Sequence, residues 1–256
     1  MKEKISVCIT AGNEAANIRR CLNSVKWADE IVVVDSFSRD NTPNICREYT
    51  NLVYQHRWLG YIGQKNLIKD LASGTWILFI DADEEVSAEL RDEILNEFTT
   101  GNTDKYAGYE FPRMVWFMQK WIKHGDWYPD VKLRLFRKEL GTCGGEEPHD
   151  KTTVHGPVKR LKGKLNHYTY NDISDQISTL NNFSLISANS MYNKGKRFML
   201  IDLLIRPFYK FIKCYFIKHG FLDGMAGYII ARISAIGVFI KYAKLWEIEA
   251  SKKKAG

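Results

Sequence analysis

The sequence predicts an α/β protein with a mostly parallel central sheet, flanking helices and a C-terminal amphipathic helical extension. Three observations carry that expectation. Residues 76–80 form a short, wholly apolar run rich in aromatic and β-branched side chains, bounded by Gly74 and an acidic cluster, as a strand buried on both faces requires. Apolar runs of the same kind recur at 5–10, 30–34 and 52–55. Amphipathic helical patterns lie between them, so about the first 80 residues read β-α-β-α-β-α-β, which implies right-handed crossovers and a parallel sheet.

Taken in order, the first strand is followed by Ala11 to Glu14 and a helical pattern over 15–25, with Ile18, Leu22 and Val25 on one face and Asn13 as a candidate cap. The second strand runs out at Asp35. Pro43 opens a helix through residue 49, as its fixed φ favours. Residues 61–72 form an amphipathic helix stopped by Ser73-Gly74. The fourth strand ends in Asp81 and Asp83, and a helix follows over 87–98. Residues 108–114 read as a strand, and 115–127 are dense in aromatics, among them Trp116, Trp121 and Trp127. Lys132 to Arg137 alternate basic and apolar residues, as an amphipathic strand with a cationic face does. Glycines make 141–145 a flexible, close-approach loop. A strand over 163–165 leads to His167, and a helix covers 175–196.

The tail differs in kind. Residues 198–217 are very apolar but carry Arg206, Lys210 and Lys213 on one helical face, and Pro207 is expected to kink the helix or start a second one. Neither this run nor 233–240 approaches the roughly 20 residues that span a bilayer. A basic amphipathic helix with Phe, Tyr and Leu opposite the charges reads as lying in a membrane interface, or as packing on the body or on another copy. The charge balance favours the membrane. The chain carries +7 overall; residues 196–256 hold 12 Lys+Arg against 4 Asp+Glu, a net of +8, and residues 1–195 hold 25 against 26, a net of −1.

Size and composition allow one compact α/β domain plus an appendage in the 256 residues. Cys8, Cys21, Cys46, Cys143 and Cys214 are scattered with no C-x-x-C, as reduced cytoplasmic thiols are. The N-terminus passes directly into a strand, so no signal peptide is expected.

The chemistry is read from the strand ends. Asp81 and Asp83 point to the same side of an extended chain, and two hard oxygen donors suit Mg²⁺ or Mn²⁺. The same pair also reads as turn or N-cap residues before the following helix. Glu14 and Asp35 end strands one and two; Asp35-Ser36 also reads as a turn closing its strand. Neither G-x-G-x-x-G nor G-x-x-x-x-G-K-[ST] is present, so phosphates would be held by metal and cations, with Lys65 nearest, unless Lys65 is a solvated helix position. Arg134 and Arg137 are candidates for an acceptor or a diphosphate, since Arg forks onto phosphate, and Trp127 is a candidate for stacking on a sugar.

As a set, these residues resemble the family-2 glycosyltransferases with the GT-A fold. The pieces are strand one with Asn13-Glu14, the stretch from Val32 to Asp35-Ser36 with Ser38 and Asn41-Thr42, the stretch Gly63 to Asn66 with Lys65 in the basic position, and Phe79 to Asp83 as the metal-binding D-x-D. The whole chain is similar to bacterial lipopolysaccharide inner-core glucosyltransferases that act on heptose, through Trp127 to Phe136, Pro148 to Asp150, Leu161 to His167 and Gly220 to Gly227. It departs from them at Pro148-His149-Asp150, where Val-His-Glu is expected. The resemblance implies residues 1–195 as the transferase domain, with 1–100 the nucleotide-sugar half and 101–195 the acceptor half, and 196–256 as a basic membrane-association region. It implies inverting transfer of a hexose, glucose, from a UDP-sugar to a lipid-linked core oligosaccharide, with a divalent cation. Thr10, Asn13, Glu14, Asp35, Ser36, Lys65, Asp81 and Ala82 would bind the donor; Asp81, Asp83 and His167 the metal; Asp150 or, failing it, Glu147 would be the base. The chain would sit on the inner face of the cytoplasmic membrane. A transferase for another envelope glycan or a polyprenyl phosphate, and a membrane-surface binding protein with no enzymatic role, are the alternatives. Nucleic acid is not an expected partner, because the basic residues sit in no nucleic-acid fold. The sequence leaves the oligomeric state open.

Overall fold

The computed structural model describes residues 3–146, 149–170 and 172–255. The chain forms two compact units, Met1–Met114 with Asp130–Tyr168, and Val115–Pro129 with Thr169–Gly256.

In the first unit, in chain order, the elements are β1 (Ile5–Ala11), α1 (Ile18–Ser24), β2 (Glu30–Asp35), α2 (Thr42–Arg47), β3 (Val53–Gln55), α3 (Gly60–Leu71), β4 (Trp76–Asp81), β5 (Glu84–Val86), α4 (Ala88–Thr99) and β6 (Gly108–Phe117). The short β7 (Lys120–Trp121) belongs to the second unit. The first unit resumes with β8 (Asp130–Arg137), β9 (Gly141–Glu146), β10 (His149–Val154), β11 (Val158–Arg160) and β12 (Leu165–His167). The sheet order is β3-β2-β1-β4-β8-β6-β12-β5. Its first four strands are parallel, and β8 then pairs antiparallel to β4. A separate hairpin joins β9 and β10.

The apolar run of β4 explains why the sheet is covered on both faces. Alternate residues point to opposite sides. Trp76, Leu78 and Ile80 join one buried cluster with Ile18, Leu22, Leu90 and Ile94 from α1 and α4. Ile77 and Phe79 join the other, with Ile68 of α3 and Phe136. The parallel register sets the rim that matters for function: Thr10 lies opposite both Val34 and Asp81, and Ala11 opposite Asp35. The ends of β1, β2 and β4 therefore reach one edge of the sheet together.

Several local expectations are corrected. Helix α1 begins at Ile18, and Asn13 does not cap it: Asn13 takes a left-handed φ of 57°, and its side-chain oxygen accepts from the Arg39 N–H at 2.8 Å. The cap of α4 is Ser87, whose Oγ accepts from Leu90 N, so Asp81 and Asp83 are not that helix's caps. Residues 141–145 are not a loop but strand β9. The glycine is needed there for packing: a Cβ on Gly141 would lie 2.1 Å from the Phe136 ring. Strand β5, absent from the sequence reading, forms by pairing with β12. The five thiols are free and buried.

The second unit holds α5 (Ile173–Asn193), α6 (Leu200–Ile212), a π-helical turn over Lys213–Ile217, and α7 (Gly224–Ala255). The expected boundary at 195/196 falls inside this unit. Helix α5, counted with the transferase domain, instead packs on α7 through Ala188 with Tyr242 and Leu245. Asp223 ties the aromatic segment down, its carboxylate accepting from Lys123 N at 3.1 Å and His124 N at 2.8 Å. Helix α6 continues through Pro207 as one element. The basic residues on that helix are paired: half-exposed Arg206 with Asp202, and Lys210 with Asp126. One helix, 220–252, is long and apolar enough to cross a membrane by length and composition, with 33% of its apolar window buried. Counting charge-free runs missed it, because isolated Arg232 and Lys241 interrupt the run without interrupting the helix.

The contact of Gly141 with Phe136 gives a stability test. Gly141→Ala overpacks that strand crossing and is expected to destabilise the protein by about 1–3 kcal/mol in chemical denaturation; an unchanged midpoint would contradict the packing.

Candidate active site

The first unit concentrates buried charge at the carboxyl end of β4. Lys65, projecting from α3 and only 5% exposed, donates to Asp150 Oδ2 of β10 at 2.7 Å and lies 3.7 Å from Asp81 Oδ1. Arg134 of β8 donates to the other Asp81 oxygen at 2.8 Å and to Glu84 Oε1 at 3.3 Å. Arg113 of β6 reaches the same Glu84 oxygen at 3.3 Å and forks onto Asp130 Oδ2 at 2.6 and 2.9 Å. Glu84, fully buried, also accepts from the Asp81 backbone N–H at 2.9 Å. A continuous ladder thus runs Asp130–Arg113–Glu84–Arg134–Asp81–Lys65–Asp150. Buried charges demand such pairing.

The ladder sets the titration of its members. Burial works against the ionised form of Asp81, but Arg134, Lys65 and Arg113 outweigh it and hold the carboxyl far below the usual range. Burial likewise opposes the charge on Arg134, and Asp81 and Glu84 overcome it. Cys143, beside Asp150, is pushed up to about 11 by burial and then by that carboxylate. Among the described residues the Arg134 Nε is buried without a hydrogen-bond partner.

Asp83 faces elsewhere. Its Oδ2 lies 3.0 Å from His167 Nε2, and its backbone oxygen accepts from Tyr168 N. Pairing of β5 with β12 brings the two together, since His167 is in register with Glu84. Two cis ligands each about 2.1 Å from one ion are about 3.0 Å apart. That spacing is also an ordinary hydrogen bond; the pair offers one carboxylate oxygen and one imidazole nitrogen, donor types a divalent cation accepts. Among the described residues there is no cluster of three or more His, Cys, Asp or Glu arranged around one point, and Asp81 is engaged by cations.

The loops after β1 and β2 are stitched to each other. Asn13 N donates to Ser38 Oγ at 2.7 Å, and Glu14 N to Thr42 Oγ1 at 2.8 Å. Asp35, fully buried, accepts from Ser38 N at 3.0 Å, from Ser38 Oγ and from Gln55 Nε2 at 3.3 Å, so its carboxylate closes the turn. Ser36 Oγ accepts from Gln64 at 3.1 Å. Thr10 is at the rim in register with Asp81, and Ala82 is buried in the core.

Other candidates lie apart from this group. Arg137 is in register with Trp76, at the start of β4, and pairs with Glu3 at 2.7 Å; on an antiparallel neighbour, three residues on from Arg134 is the opposite end. Trp127 packs on Phe117 and Tyr170 within the second unit. Glu147 lies outside the described residues. Glu84 and Arg113 were missed by the sequence reading. The available signal was Arg113, the one basic residue of a strand that is apolar apart from it and Glu110, a charge that needs a counter-charge where the strand is buried.

The sequence model of glycosyl transferase family 2 matches residues 6–155, more than half the chain. The chain belongs to glycosyltransferase family 2. It is 32% identical to an uncharacterized glycosyltransferase of Rickettsia typhi, over 98% of this chain and 89% of that one. It is 29% identical to the lipopolysaccharide core biosynthesis glycosyltransferase LpsC of Rhizobium meliloti, over 99% and 96%. Among solved structures it resembles the mannosyltransferase PcManGT of Pyrobaculum calidifontis, in complex with GDP-Man and Mn²⁺, at a TM-score of 0.57 and 15% identity, over 96% and 87% of the two chains. It also resembles S. aureus TarS 1–349 in complex with UDP-GlcNAc, at a TM-score of 0.50 and 15% identity, over 98% and 92%. These likenesses fix the fold of the transferase as GT-A.

Two stability outcomes follow from the ladder. Glu84→Gln leaves Arg113 and Arg134 short of a buried counter-charge and is expected to cost about 3–5 kcal/mol in denaturant unfolding; a loss under about 0.5 kcal/mol would contradict the ladder. Because the folded carboxyl of Asp81 is held below its unfolded value, it binds protons less readily in the native state. Its stabilisation is complete above about pH 4 and is lost as pH falls further. Asp81→Asn is expected to flatten the acid limb of stability measured between about pH 4 and pH 2; an unchanged limb would argue against the pairing.

Proposed function

We propose that this family-2 transferase moves glucose, with inversion, from a UDP-sugar to the inner-core heptose of a lipid-linked lipopolysaccharide or lipooligosaccharide core. The reaction would take place on the inner face of the bacterial cytoplasmic membrane. The observation that carries the reading is Lys65, one buried cation touching both Asp150 and the D-x-D carboxylate of Asp81. Transfer with inversion needs a base for the acceptor hydroxyl close to the groups that receive the donor. The similarity to LpsC supports the core-oligosaccharide acceptor, and the sequence resemblance supports UDP-glucose.

In this reading Asp150 takes the acceptor hydroxyl proton on its carboxylate. The acceptor oxygen bonds to the anomeric carbon from the face opposite the diphosphate. The bond from that carbon to the diphosphate oxygen breaks, and its electron pair leaves with UDP. Asp83 and His167 would hold Mg²⁺ or Mn²⁺, which when bound neutralises charge on the departing diphosphate. Lys65 and Arg134, already at the rim, add positive charge facing the same oxygens. Lys65 also keeps Asp150 paired until anionic donor competes for the lysine. Thr10, Asn13, Glu14 and Ser36 line the nucleoside side, with Ala82 contributing main chain. Asp35 acts there by holding the turn, since its own carboxylate is saturated by Ser38 and Gln55.

The test is thermal unfolding with UDP, with and without Mn²⁺, followed by turnover over a panel of nucleotide sugars. Manganese-dependent protection by UDP is expected in the wild type and absent in Asp83→Ala. Asp150→Asn is expected to keep the protection and to lose kcat by about 10²–10⁴-fold. Wild-type turnover by Asp83→Ala, or a melting curve indifferent to UDP and Mn²⁺, would sink the reading.

A further inference from the structure

Helix α6 buries an acid and leaves its apolar stripe exposed. Its one buried residue is that acid, Asp202, whose carboxylate takes half-exposed Arg206 from the same helix and Lys196 at 3.0 Å. One turn on, Lys210 is tied to Asp126, and Lys218, beyond the π-helical turn, meets the same acid at 2.9 Å. The opposite face carries Ile201, Leu204, Ile205, Phe208 and Tyr209, at the i, i+3, i+4, i+7 and i+8 spacing of a single stripe, each between 57 and 68% exposed. Phe216, on the turn that follows, is exposed as well. A soluble surface helix shows the reverse arrangement, and a contiguous apolar stripe of this length marks an interaction surface.

The character of the stripe selects its occupant. Apart from the Tyr209 hydroxyl, its side chains offer no hydrogen-bond donor or acceptor. A protein partner's interface normally carries about one hydrogen bond per 100–200 Å², whereas hydrocarbon asks for none. Charge agrees: residues 196–256 hold 12 Lys+Arg against 4 Asp+Glu, and Lys213, beside the stripe's end, has no carboxylate partner among the described residues. Helix α6 and its turn comprise 13 and 5 residues, about 27 Å at 1.5 Å per residue. Crossing the bilayer with them would drag Asp202, Arg206 and Lys210 into the hydrocarbon. Lying flat keeps those charges on the protein side.

We infer that the outward face of α6 inserts in the plane of a phospholipid bilayer, and that acyl-chain contact rather than headgroup charge holds it there. The inference rests on the proposed membrane location and gives that location a residue-level mode. The sequence pattern places a basic amphipathic helix in a membrane interface with Phe, Tyr and Leu opposite the charges; the exposed stripe adds which side chains enter the acyl region.

The experiment is flotation of the full chain with phosphatidylcholine vesicles, and with vesicles also containing phosphatidylglycerol, at low salt and at about 1 M salt, where the Debye length falls to about 3 Å. The wild type is expected to float with both vesicle types at both salt levels. The double variant Leu204→Ser, Phe208→Ser is expected to bind at least about tenfold more weakly, from the apolar area removed. Lys213→Ala is expected to float like the wild type. Retained UDP and Mn²⁺ protection in each variant verifies that the first unit is intact. Phe208→Trp supplies an independent readout, since its added emission is expected to be quenched by lipids brominated on the acyl chain. Flotation confined to phosphatidylglycerol vesicles at low salt would overturn acyl insertion while leaving the membrane location standing. No flotation at all, with a dimer in sedimentation that the double variant breaks, would overturn both and assign the stripe to a second copy. Neither result bears on the sugar chemistry, which the UDP measurements test separately.

Discussion

A buried lysine between two carboxylates organises the first unit of this protein. Lys65 is nearly inaccessible, and a cation in that position persists only because Asp150 and Asp81 neutralise it. Asp81 in turn needs Arg134, which needs Glu84, which also serves Arg113. Removing any one partner leaves a charge desolvated and unpaired, a far larger penalty than the net worth of an intact pair. Strands β4, β6, β8 and β10 and helix α3 are therefore tied at one end of the sheet by electrostatics, while the apolar layers on both sheet faces supply the bulk of the driving force. The same arrangement puts Lys65 and Arg134 at the strand ends, where ligands bind in open α/β sheets.

The parts of the fold carried by local pattern were legible. The uninterrupted apolar run of β4, its acidic end and the three preceding β-α units fixed four parallel strands and their order of appearance. Part of the rim was legible: parallel pairing of β1 with both β2 and β4 puts Asp35 and Asp81 at the same end of the sheet, whereas Asp83 turns to His167. What escaped was set by distant contacts. Glu84 looks like any surface acid after a D-x-D until Arg113 and Arg134 arrive from other strands. Gly141 looks like a loop glycine until the Phe136 ring is packed against it. Arg134 and Arg137 are equivalent on paper, but β8 runs antiparallel to β4 and sends them to opposite ends. The tail shows the same limit. A helical wheel gives the two faces of α6 but not which one turns inward, and the acids at 126 and 202 decide that.

The two units divide the labour by physical character. The first is close to charge-neutral overall and buries Lys65, Glu84 and Arg134 in one paired ladder. The second holds the chain's excess of lysine and arginine and exposes its largest apolar stripe. The proposed transfer, from a nucleotide sugar to a lipid-linked acceptor, would use both kinds of surface, one polar and preorganised and one that tolerates hydrocarbon.

The claim on which the rest stands is the coupling of Lys65 to Asp150 in the free protein. A double-mutant cycle of Lys65→Met and Asp150→Asn, read as denaturant stability, measures it without reference to substrate. Residues in one ion-pair network couple by about 0.5–3 kcal/mol, and this pair is expected in the upper half of that range. Stability losses that add to within about 0.3 kcal/mol would mean that the two side chains do not meet, and the site would lose its centre.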